Sequence, residues 1–287
     1  MKKPVILITG KNGQLGNELQ QLSKQFLQFD YIFCDTTELD ITNTELVDSF
    51  FEKNQPAVCI NAAAYTAVDK AENDQERALQ VNGEAVGNLA KNCAKINARL
   101  IHISTDYVFD GAATSPYLED HPVDPVNFYG ASKLKGEQLA TQNLASTVVI
   151  RTSWVYSFFG NNFVKTMLRL MKERSTINVI DDQYGSPTYA RDLAEAIMQM
   201  VVRNDIAGGI YHFSNEGNIT WFQFAIAIRD LANLSCEVKA IDTSGYPTPA
   251  KRPGYSVMSK EKIKSIGIEI KDWKNSLAEC IQLLMQK

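Results

Sequence analysis

The first half of the sequence alternates short apolar runs with segments of helical periodicity. The apolar runs fall at 5–9, 31–34, 57–61, 100–104 and 147–151, and helical spacing recurs at 14–26, 44–53, 76–96 and 129–143. Strands that alternate with helices in this way form βαβ crossovers and a parallel sheet covered on both faces. The pattern therefore predicts an α/β fold with a doubly wound parallel sheet.

The second half is less regular. Helical patterns occur at 162–172, 190–203, 220–232 and 275–285, short strand patterns at 178–180 and 209–213, and a proline-containing loop at 243–253. We place a domain boundary near Arg151, which gives units at 1–150 and 151–287. Because such a second half often sends a helix back onto the sheet, we expect the two units to be interleaved.

Composition excludes several classes of function. A net charge of −4 provides no electrostatic footprint for nucleic acid or an anionic membrane. No stretch reaches the ~18 apolar residues of a membrane span. The five cysteines are widely spaced without a CxxC pair, and the three histidines lack metal-ligand spacing. We therefore predict no metal site and a reducing compartment.

A glycine-rich turn follows the first strand and opens the first helix. Its glycines are Gly10, Gly13 and Gly16, in GxxGxxG spacing. Glycine permits a tight bend and close approach to a pyrophosphate, and the helix N-terminus adds free N–H groups. The strand–turn–helix context predicts a dinucleotide site, and so a Rossmann-type sheet.

Other features fall at strand ends, where an open α/β sheet binds its ligand. Ala62, Ala63 and Ala64 follow the third strand and are small enough for ribose and pyrophosphate to lie against the backbone. Asp35 and Asp40 follow the second strand; an acidic group there binds a ribose 2′-hydroxyl, whereas Lys11 in the turn favours a 2′-phosphate. The sequence leaves NADH and NADPH both open. It also leaves open whether Asp40 and Ile41 contact adenine or Asp40 caps the next helix.

Three side chains predict acid–base chemistry. Tyr129 and Lys133 are four residues apart, so a helix places them on one face. Free tyrosine has a pKa near ~10, and an adjacent ammonium is expected to lower it. Tyr129 then exchanges a proton with a substrate oxygen, Lys133 holds the nicotinamide ribose, and Thr105, at a strand end, positions that oxygen.

The sequence resembles the dTDP-4-dehydrorhamnose reductases, a branch of the extended short-chain dehydrogenase/reductase family. The resemblance covers nearly the whole chain and is strongest in five runs: 61–72 (NAAAYTAVDKAE), 104–111 (STDYVFDG), 129–133 (YGASK), 151–156 (RTSWVY) and 182–188 (DQYGSPT). It implies a cytoplasmic enzyme that uses NADPH or NADH to reduce the 4-keto group of dTDP-4-dehydro-6-deoxy-L-mannose to dTDP-L-rhamnose.

The resemblance also implies roles for single residues. Tyr129 would be the proton donor, with Lys133 and Thr105 completing a triad. The residues implied along the cofactor are Gly13, Gln14, Leu15, Asp40, Ile41, Ala63, Ala64 and Tyr65. Those implied at the sugar nucleotide are Thr105, Asp106 and Trp154, with Arg252 pairing the diphosphate. The 1–150 unit would then bind NAD(P), and the 151–287 unit would be a smaller α/β domain for the sugar nucleotide.

Two departures from the family pattern matter. Tyr255 stands where the family's Arg-Pro-x-Asn-Ser run has Asn. Some members hold Mg²⁺ between subunits through glutamates; Glu18 matches one such position, but Arg191 stands where a second carboxylate is expected, and a cation there opposes a metal.

Alternative functions remain open at this stage. The chain could reduce another dTDP-4-keto-6-deoxyhexose, or it could be a non-catalytic regulatory subunit of methionine adenosyltransferase. The complete set of Thr105, Tyr129 and Lys133 favours an enzyme. The sequence is compatible with a monomer or a homodimer.

Overall fold

The computed structural model describes residues 2–203 and 205–286. The strands are β1 Val5–Thr9, β2 Asp30–Cys34, β3 Val58–Asn61, β4 Arg99–Thr105, β5 Val148–Thr152, β6 Val155–Tyr156, β7 Thr176–Ile180, β8 Tyr184–Gly185, β9 Thr188–Tyr189, β10 Gly209–Phe213, β11 Ile219–Thr220 and β12 Glu237–Ile241.

The α-helices are α1 Gln14–Ser23, α2 Thr44–Asn54, α3 Val68–Ala71, α4 Gln75–Leu79, α5 Ala85–Lys95, α6 Phe128–Asn143, α7 Phe163–Glu173, α8 Ala190–Val202, α9 Trp221–Leu231, α10 Glu261–Ser265 and α11 Trp273–Met285. A π-helical turn, Gln80–Glu84, joins α4 to α5, and 3₁₀ turns occupy Asp106–Val108 and Thr243–Gly245. No helix in the described ranges combines the length and the apolar character that a membrane crossing requires.

Within the described chain, six parallel strands form a central sheet in the order β10-β5-β4-β3-β1-β2. Alternate residues of β1 face opposite sides: Ile6 and Ile8 join one core with α1 and α8, and Leu7 joins the other with α2, α5 and α6. Because both faces are covered, the strands are almost uninterrupted apolar runs. The predicted α/β fold with a doubly wound parallel sheet is confirmed.

The second half of the chain contributes to the central sheet and also forms an apolar core of its own. β10 pairs with β5 at the edge of the central sheet, and α8 packs beside α1 on one face. The remaining elements build a separate apolar core from α7, α9 and α11, flanked by the small sheets β7–β12, β6–β9 and β8–β11. The division at residue 150 therefore stays a prediction about folding units.

Side-chain caps fix the first turns of several helices. Asn43 accepts a hydrogen bond from the Leu46 amide at the start of α2, and Asn127 accepts one from Gly130 at the start of α6. Thr220 forms a reciprocal capping box at the start of α9. The cap at Asn127 matters most for function, because it places Tyr129 in the first turn of α6.

Candidate active site

A cleft of about 750 Å³ runs along the edge of the central sheet where β1, β3, β4 and β5 end. The strand order reverses between β1 and β3, and open parallel sheets bind ligands at such a reversal. The sequence-predicted residues that line this cleft are Gly10, Gly13, Gln14, Leu15, Asp35, Asp40, Ile41, Ala62, Ala63, Ala64, Tyr65, Thr105, Asp106, Tyr129, Lys133 and Trp154. Gly16 and Arg252 are the predicted site residues that do not line it.

The glycine turn packs closely against the chain that follows β3. Gly10 has φ +72°, and a Cβ there would lie 2.7 Å from the backbone of Ala62 and Ala63. The Gly13 amide donates to the Gly10 carbonyl at 3.0 Å, and α1 begins at the next residue with no described side chain capping it. The first amides of α1 are therefore available to an anion at the cleft. Gly16 packs beneath the turn against Gly10.

The far end of the cleft carries acidic groups. Asp35 accepts hydrogen bonds from Asn12 and from the Thr36 amide, and Asp40 accepts from the amide and hydroxyl of Thr42. Hydrogen bonding from Thr42 lowers the pKa of Asp40. Asp40 does not cap α2, since Asn43 does, so that alternative is removed. Lys11 forms an ion pair with Glu38.

Asn82 is a positioning residue that the sequence analysis missed. Its side-chain oxygen accepts from the Tyr65 amide at 2.8 Å, and its amide donates to the Tyr65 carbonyl and the Ser132 hydroxyl at 3.0 Å each. It therefore ties the loop after β3 to α6. Asn82 lies in the π-helical turn, a local irregularity that is frequent at functional sites and gives little sequence signal.

The predicted catalytic side chains converge at the middle of the cleft. Thr105 ends β4, and Tyr129 and Lys133 project from the first two turns of α6. The Tyr129 phenol is hydrogen-bonded with the Thr105 hydroxyl. The Lys133 ammonium donates to the Ile103 carbonyl at 2.6 Å. One phenol, one hydroxyl and one ammonium therefore surround a space large enough for a substrate oxygen.

The electrostatics of Tyr129 differ from the sequence-based expectation. Burial raises the pKa of the phenol to about 12, with Thr105 lowering it and Asp106 raising it. The expected lowering of the Tyr129 pKa by Lys133 is wrong, because burial raises this pKa and the ammonium is directed to the Ile103 carbonyl. Tyr129 is therefore a neutral phenol near pH 7, which is the form that donates a proton.

Asp106 extends the polar cluster beyond Thr105. The Thr105 hydroxyl donates to Oδ1 of the Asp106 carboxyl at 3.0 Å, and Oδ2 is buried without a hydrogen-bond partner in the described chain. Burial raises the pKa of Asp106 to about 6, against hydrogen bonds from Ser256 and Thr105 that lower it. The second oxygen is thus free to meet a ligand hydroxyl.

Trp154 is held in a strained conformation at the cleft wall. Its φ is +48°, a left-handed value that a bulky residue rarely adopts. Its indole stacks on Trp221 with centroids 3.6 Å apart, and a Cβ on Gly185 would lie 2.5 Å from its ring. Trp221 also lines the cleft, and the sequence analysis did not predict it as a site residue. The two indoles form a fixed aromatic wall.

Arg252 lies beside the cleft rather than along it. Its guanidinium pairs with Asp69 at 2.9 Å, and Asp69 also accepts from the Ala250 amide at 3.2 Å. Its Nη1 is buried without a hydrogen-bond partner in the described chain. An anion reaching this nitrogen would satisfy it.

Side chains of both charge signs lie at the position where the family resemblance implies a Mg²⁺ ion shared between subunits. Glu18 accepts from the Ser157 hydroxyl at 2.5 Å, and burial raises its pKa, while Arg191 lies close enough to lower it. Arg191 also pairs with Glu279 at 3.6 Å. Among residues 2–203 and 205–286, no group of three His, Cys, Asp or Glu side chains could hold a metal ion.

Comparison with known proteins gives consistent matches along the whole chain. The family model described as the RmlD substrate binding domain matches residues 3–286. A dTDP-4-dehydrorhamnose reductase from Aggregatibacter actinomycetemcomitans is 42% identical, over 95% of this chain and 96% of its own length. The crystal structure of a dTDP-4-dehydrorhamnose reductase from Clostridium acetobutylicum is 40% identical with a TM-score of 0.94, covering 98% of this chain and 99% of the other. The Bacillus anthracis enzyme of the same name, in complex with NADP, is 38% identical with a TM-score of 0.94 and full coverage of both chains.

Proposed function

The chain belongs to the dTDP-4-dehydrorhamnose reductase family, and from that membership and the cleft geometry we propose that it is an NAD(P)H-dependent reductase of a dTDP-4-keto-6-deoxy sugar. The specific reaction that we propose is reduction of the 4-keto group of dTDP-4-dehydro-6-deoxy-L-mannose to dTDP-L-rhamnose. The observation that carries the proposal is the meeting of Thr105, Tyr129 and Lys133 with the glycine turn in one cleft.

The cofactor fits the chain's own residues. The glycine turn and the open N-terminus of α1 suit a pyrophosphate. The small residues after β3 suit the ribose next to it, and Asp35 and Asp40 suit the adenosine end. When bound, the reduced nicotinamide supplies the hydride for the carbonyl carbon. NADPH and NADH both remain candidates, because Lys11 is engaged by Glu38 beside the acidic groups.

The chain's residues supply the proton and position the substrate. Tyr129, neutral at pH 7, donates its phenolic proton to the substrate oxygen as negative charge develops there. Thr105, hydrogen-bonded with that phenol, orients the same oxygen. Lys133 then stabilises the phenolate electrostatically and binds the nicotinamide ribose.

The walls of the cleft suit a sugar nucleotide. The free oxygen of Asp106 accepts from a sugar hydroxyl, and the Trp154 indole covers an apolar face of the sugar. The unsatisfied nitrogen of Arg252 pairs with the dTDP diphosphate. In this proposal residues 1–150 provide most of the residues that bind the cofactor, and residues 151–287 provide Trp154 and Arg252 for the sugar nucleotide.

We also propose a cytoplasmic location. Cys34, Cys59, Cys93, Cys236 and Cys280 are all free and buried, which suits a reducing compartment. The ligands that we propose for the cleft are a sugar nucleotide and a reduced nicotinamide dinucleotide. The monomer and the homodimer both stay predictions, which a measurement of the mass in solution would distinguish.

The direct test incubates the purified chain with dTDP-4-dehydro-6-deoxy-L-mannose and either NADPH or NADH. We expect oxidation of the nicotinamide, which is measured as a loss of its absorbance. We also expect formation of dTDP-L-rhamnose, which is identified by chromatography against a standard. The matched comparison uses dTDP-4-keto-6-deoxy sugars of other configuration. Faster turnover of one of these would change the substrate, and no turnover of any of them, with cofactor binding intact, would leave only a binding role.

A further inference from the structure

A buried carboxylate lies one turn beyond Lys133 on the face of α6 that points into the protein. Tyr129, Lys133 and Glu137 are spaced by four residues, so they form one stripe along the helix. Glu137 is 3% exposed and Lys133 is 2% exposed. Burying two ionisable groups in succession is costly unless each has partners. The partners of Glu137 are therefore the evidence for its role.

Both oxygens of Glu137 are fixed by neighbouring strands. Arg151 of β5 donates from Nε to Oε1 at 3.0 Å and from Nη2 to Oε2 at 2.7 Å, a bidentate pair. The Ser104 hydroxyl of β4 donates to Oε1 at 2.5 Å. Charge-assisted bonds of this kind keep a carboxylate ionised and immobile. Arg151 is itself held over the Phe109 ring at 5.0 Å.

Lys133 needs such a charge nearby. Two ionisable side chains interact electrostatically with Lys133, namely Glu137 of α6 and His102 of β4. Arg151 of β5 acts on the carboxylate, with which it is paired. Burial and the nearby ammonium of Lys133 hold the pKa of His102 well below its usual value, so this imidazole is neutral. Burial lowers the pKa of Lys133 to about 8, and the Glu137 carboxylate is the neighbour that raises it.

We propose that Glu137 is a positioning residue that keeps the Lys133 ammonium charged and directed to the Ile103 carbonyl, beside Tyr129. Arg151 and Ser104 hold the carboxylate in place, and the carboxylate holds the charge on the lysine. The catalytic consequence rests on the proposed function, because only a charged Lys133 can stabilise the phenolate that Tyr129 leaves after donating its proton. The electrostatic relation between Glu137 and Lys133 does not depend on the substrate.

The first test titrates Lys133 directly in the full-length protein. NMR of ¹³Cε-labelled lysine, assigned with Lys133→Met, follows its protonation without cofactor or substrate. In Glu137→Gln we expect the proton affinity of the Lys133 amine to fall by about tenfold. Glu137→Asp keeps the charge and is expected to restore most of that affinity.

The second test follows the pH profile of turnover. Because Lys133 loses its proton as pH rises, kcat/KM of the wild-type enzyme should fall on the alkaline side, and in Glu137→Gln this fall should occur at lower pH. Asp192→Asn is the matched control: Asp192 is also buried and paired, with Lys271 at 2.7 Å, but lies outside the cleft lining. It should lower thermal stability and leave the Lys133 titration unchanged.

If Glu137→Gln alone leaves Arg151 too poorly paired for folding, the double variant Glu137→Gln/Arg151→Met is titrated beside Arg151→Met, so that the two proteins differ only in the Glu137 carboxylate. An unchanged titration of Lys133 in a folded variant would overturn the proposal and leave Glu137 as a structural ion pair. A shifted titration in a protein that turns over no sugar would support this inference while the proposed function fails.

Discussion

Burial sets the protonation state of three side chains in the cleft. It raises the pKa of Tyr129 to about 12 and that of Asp106 to about 6, and it lowers that of Lys133 to about 8. In each case burial favours the uncharged form of the side chain. A cleft with this bias suits a reductase, since the phenol begins as an acid and its proton leaves only when a strong base forms nearby.

Asp106 gives a pH-dependent prediction for stability. Its pKa is about 6 in the folded chain, against ~3.9 in an unfolded chain, so the folded chain binds this proton more tightly than the unfolded chain does. The stability contributed by this group is full below about pH 4 and is lost as pH rises through 6. Asp106→Asn should therefore be more stable than wild type at pH 8, by an amount of order 2 kcal/mol.

Urea unfolding at pH 4 and pH 8 measures this difference. The gap between Asp106→Asn and wild type should close at the lower pH. A wild type that is the more stable protein at pH 8, or a gap that does not change with pH, would show that the fold does not disfavour the charged form of Asp106 and would contradict its raised pKa.

At the scale of elements, the site depends on close contact between α6 and the 3₁₀ turn that follows β4. A Cβ on Gly130 would lie 2.1 Å from the Tyr107 carbonyl oxygen, so α6 can approach this turn only with glycine. The same contact sets the distance between Tyr129 on the helix and Thr105 at the strand end. Helix and turn therefore form one catalytic unit.

Gly130→Ala should separate these elements. We expect a loss of stability of about 1–3 kcal/mol from overpacking and a large fall in kcat, because Tyr129 moves with the helix. Gly208→Ala is the matched control: its Cβ would lie 2.6 Å from the Ser146 backbone, and neither residue lines the cleft. Thermal unfolding and steady-state kinetics of both variants should show similar destabilisation and a greater loss of kcat in Gly130→Ala. Equal losses of kcat would argue against the catalytic unit.

Much of the element pattern could be predicted from periodicity, and the exceptions have physical reasons. The first-half strands and helices follow from apolar spacing, but the predicted helix at 76–96 contains the π turn Gln80–Glu84, which periodicity does not indicate. β12 was missed because its exposed positions leave little apolar signal. The burial of Tyr129, the left-handed Trp154 and the pairing of Arg252 with Asp69 arise from tertiary contacts, and spacing along the chain carries none of them.

At the scale of the whole molecule, the cofactor turn is tied to the second half of the chain. Gln14 donates to the Val155 carbonyl at 3.3 Å and accepts from Asn162 at 3.0 Å, and Glu18 accepts from Ser157. Gln14 also lines the cleft. A ligand that orders the glycine turn should therefore stabilise both halves together.

Cofactor binding should accordingly raise the thermal unfolding midpoint. At a hundred times Kd, NADPH is expected to add about 2.7 kcal/mol, or roughly 5–10 °C for a chain of this size. Gly10→Ala should remove this increment, since its Cβ would lie 2.7 Å from the Ala62 backbone at a positive φ and would force the glycine turn to move. Gly245→Ala, whose Cβ would meet nothing closer than 3.5 Å, should keep it. An undiminished increment in Gly10→Ala would mean that the cofactor binds elsewhere.

The role of Tyr129 as proton donor is tested most directly by single-turnover reduction of dTDP-4-dehydro-6-deoxy-L-mannose by Tyr129→Phe. We expect the reduction rate to fall roughly 10²–10⁴-fold, while NADPH still raises the unfolding midpoint as it does in wild type. A variant that binds NADPH and reduces the sugar at the wild-type rate would contradict that role.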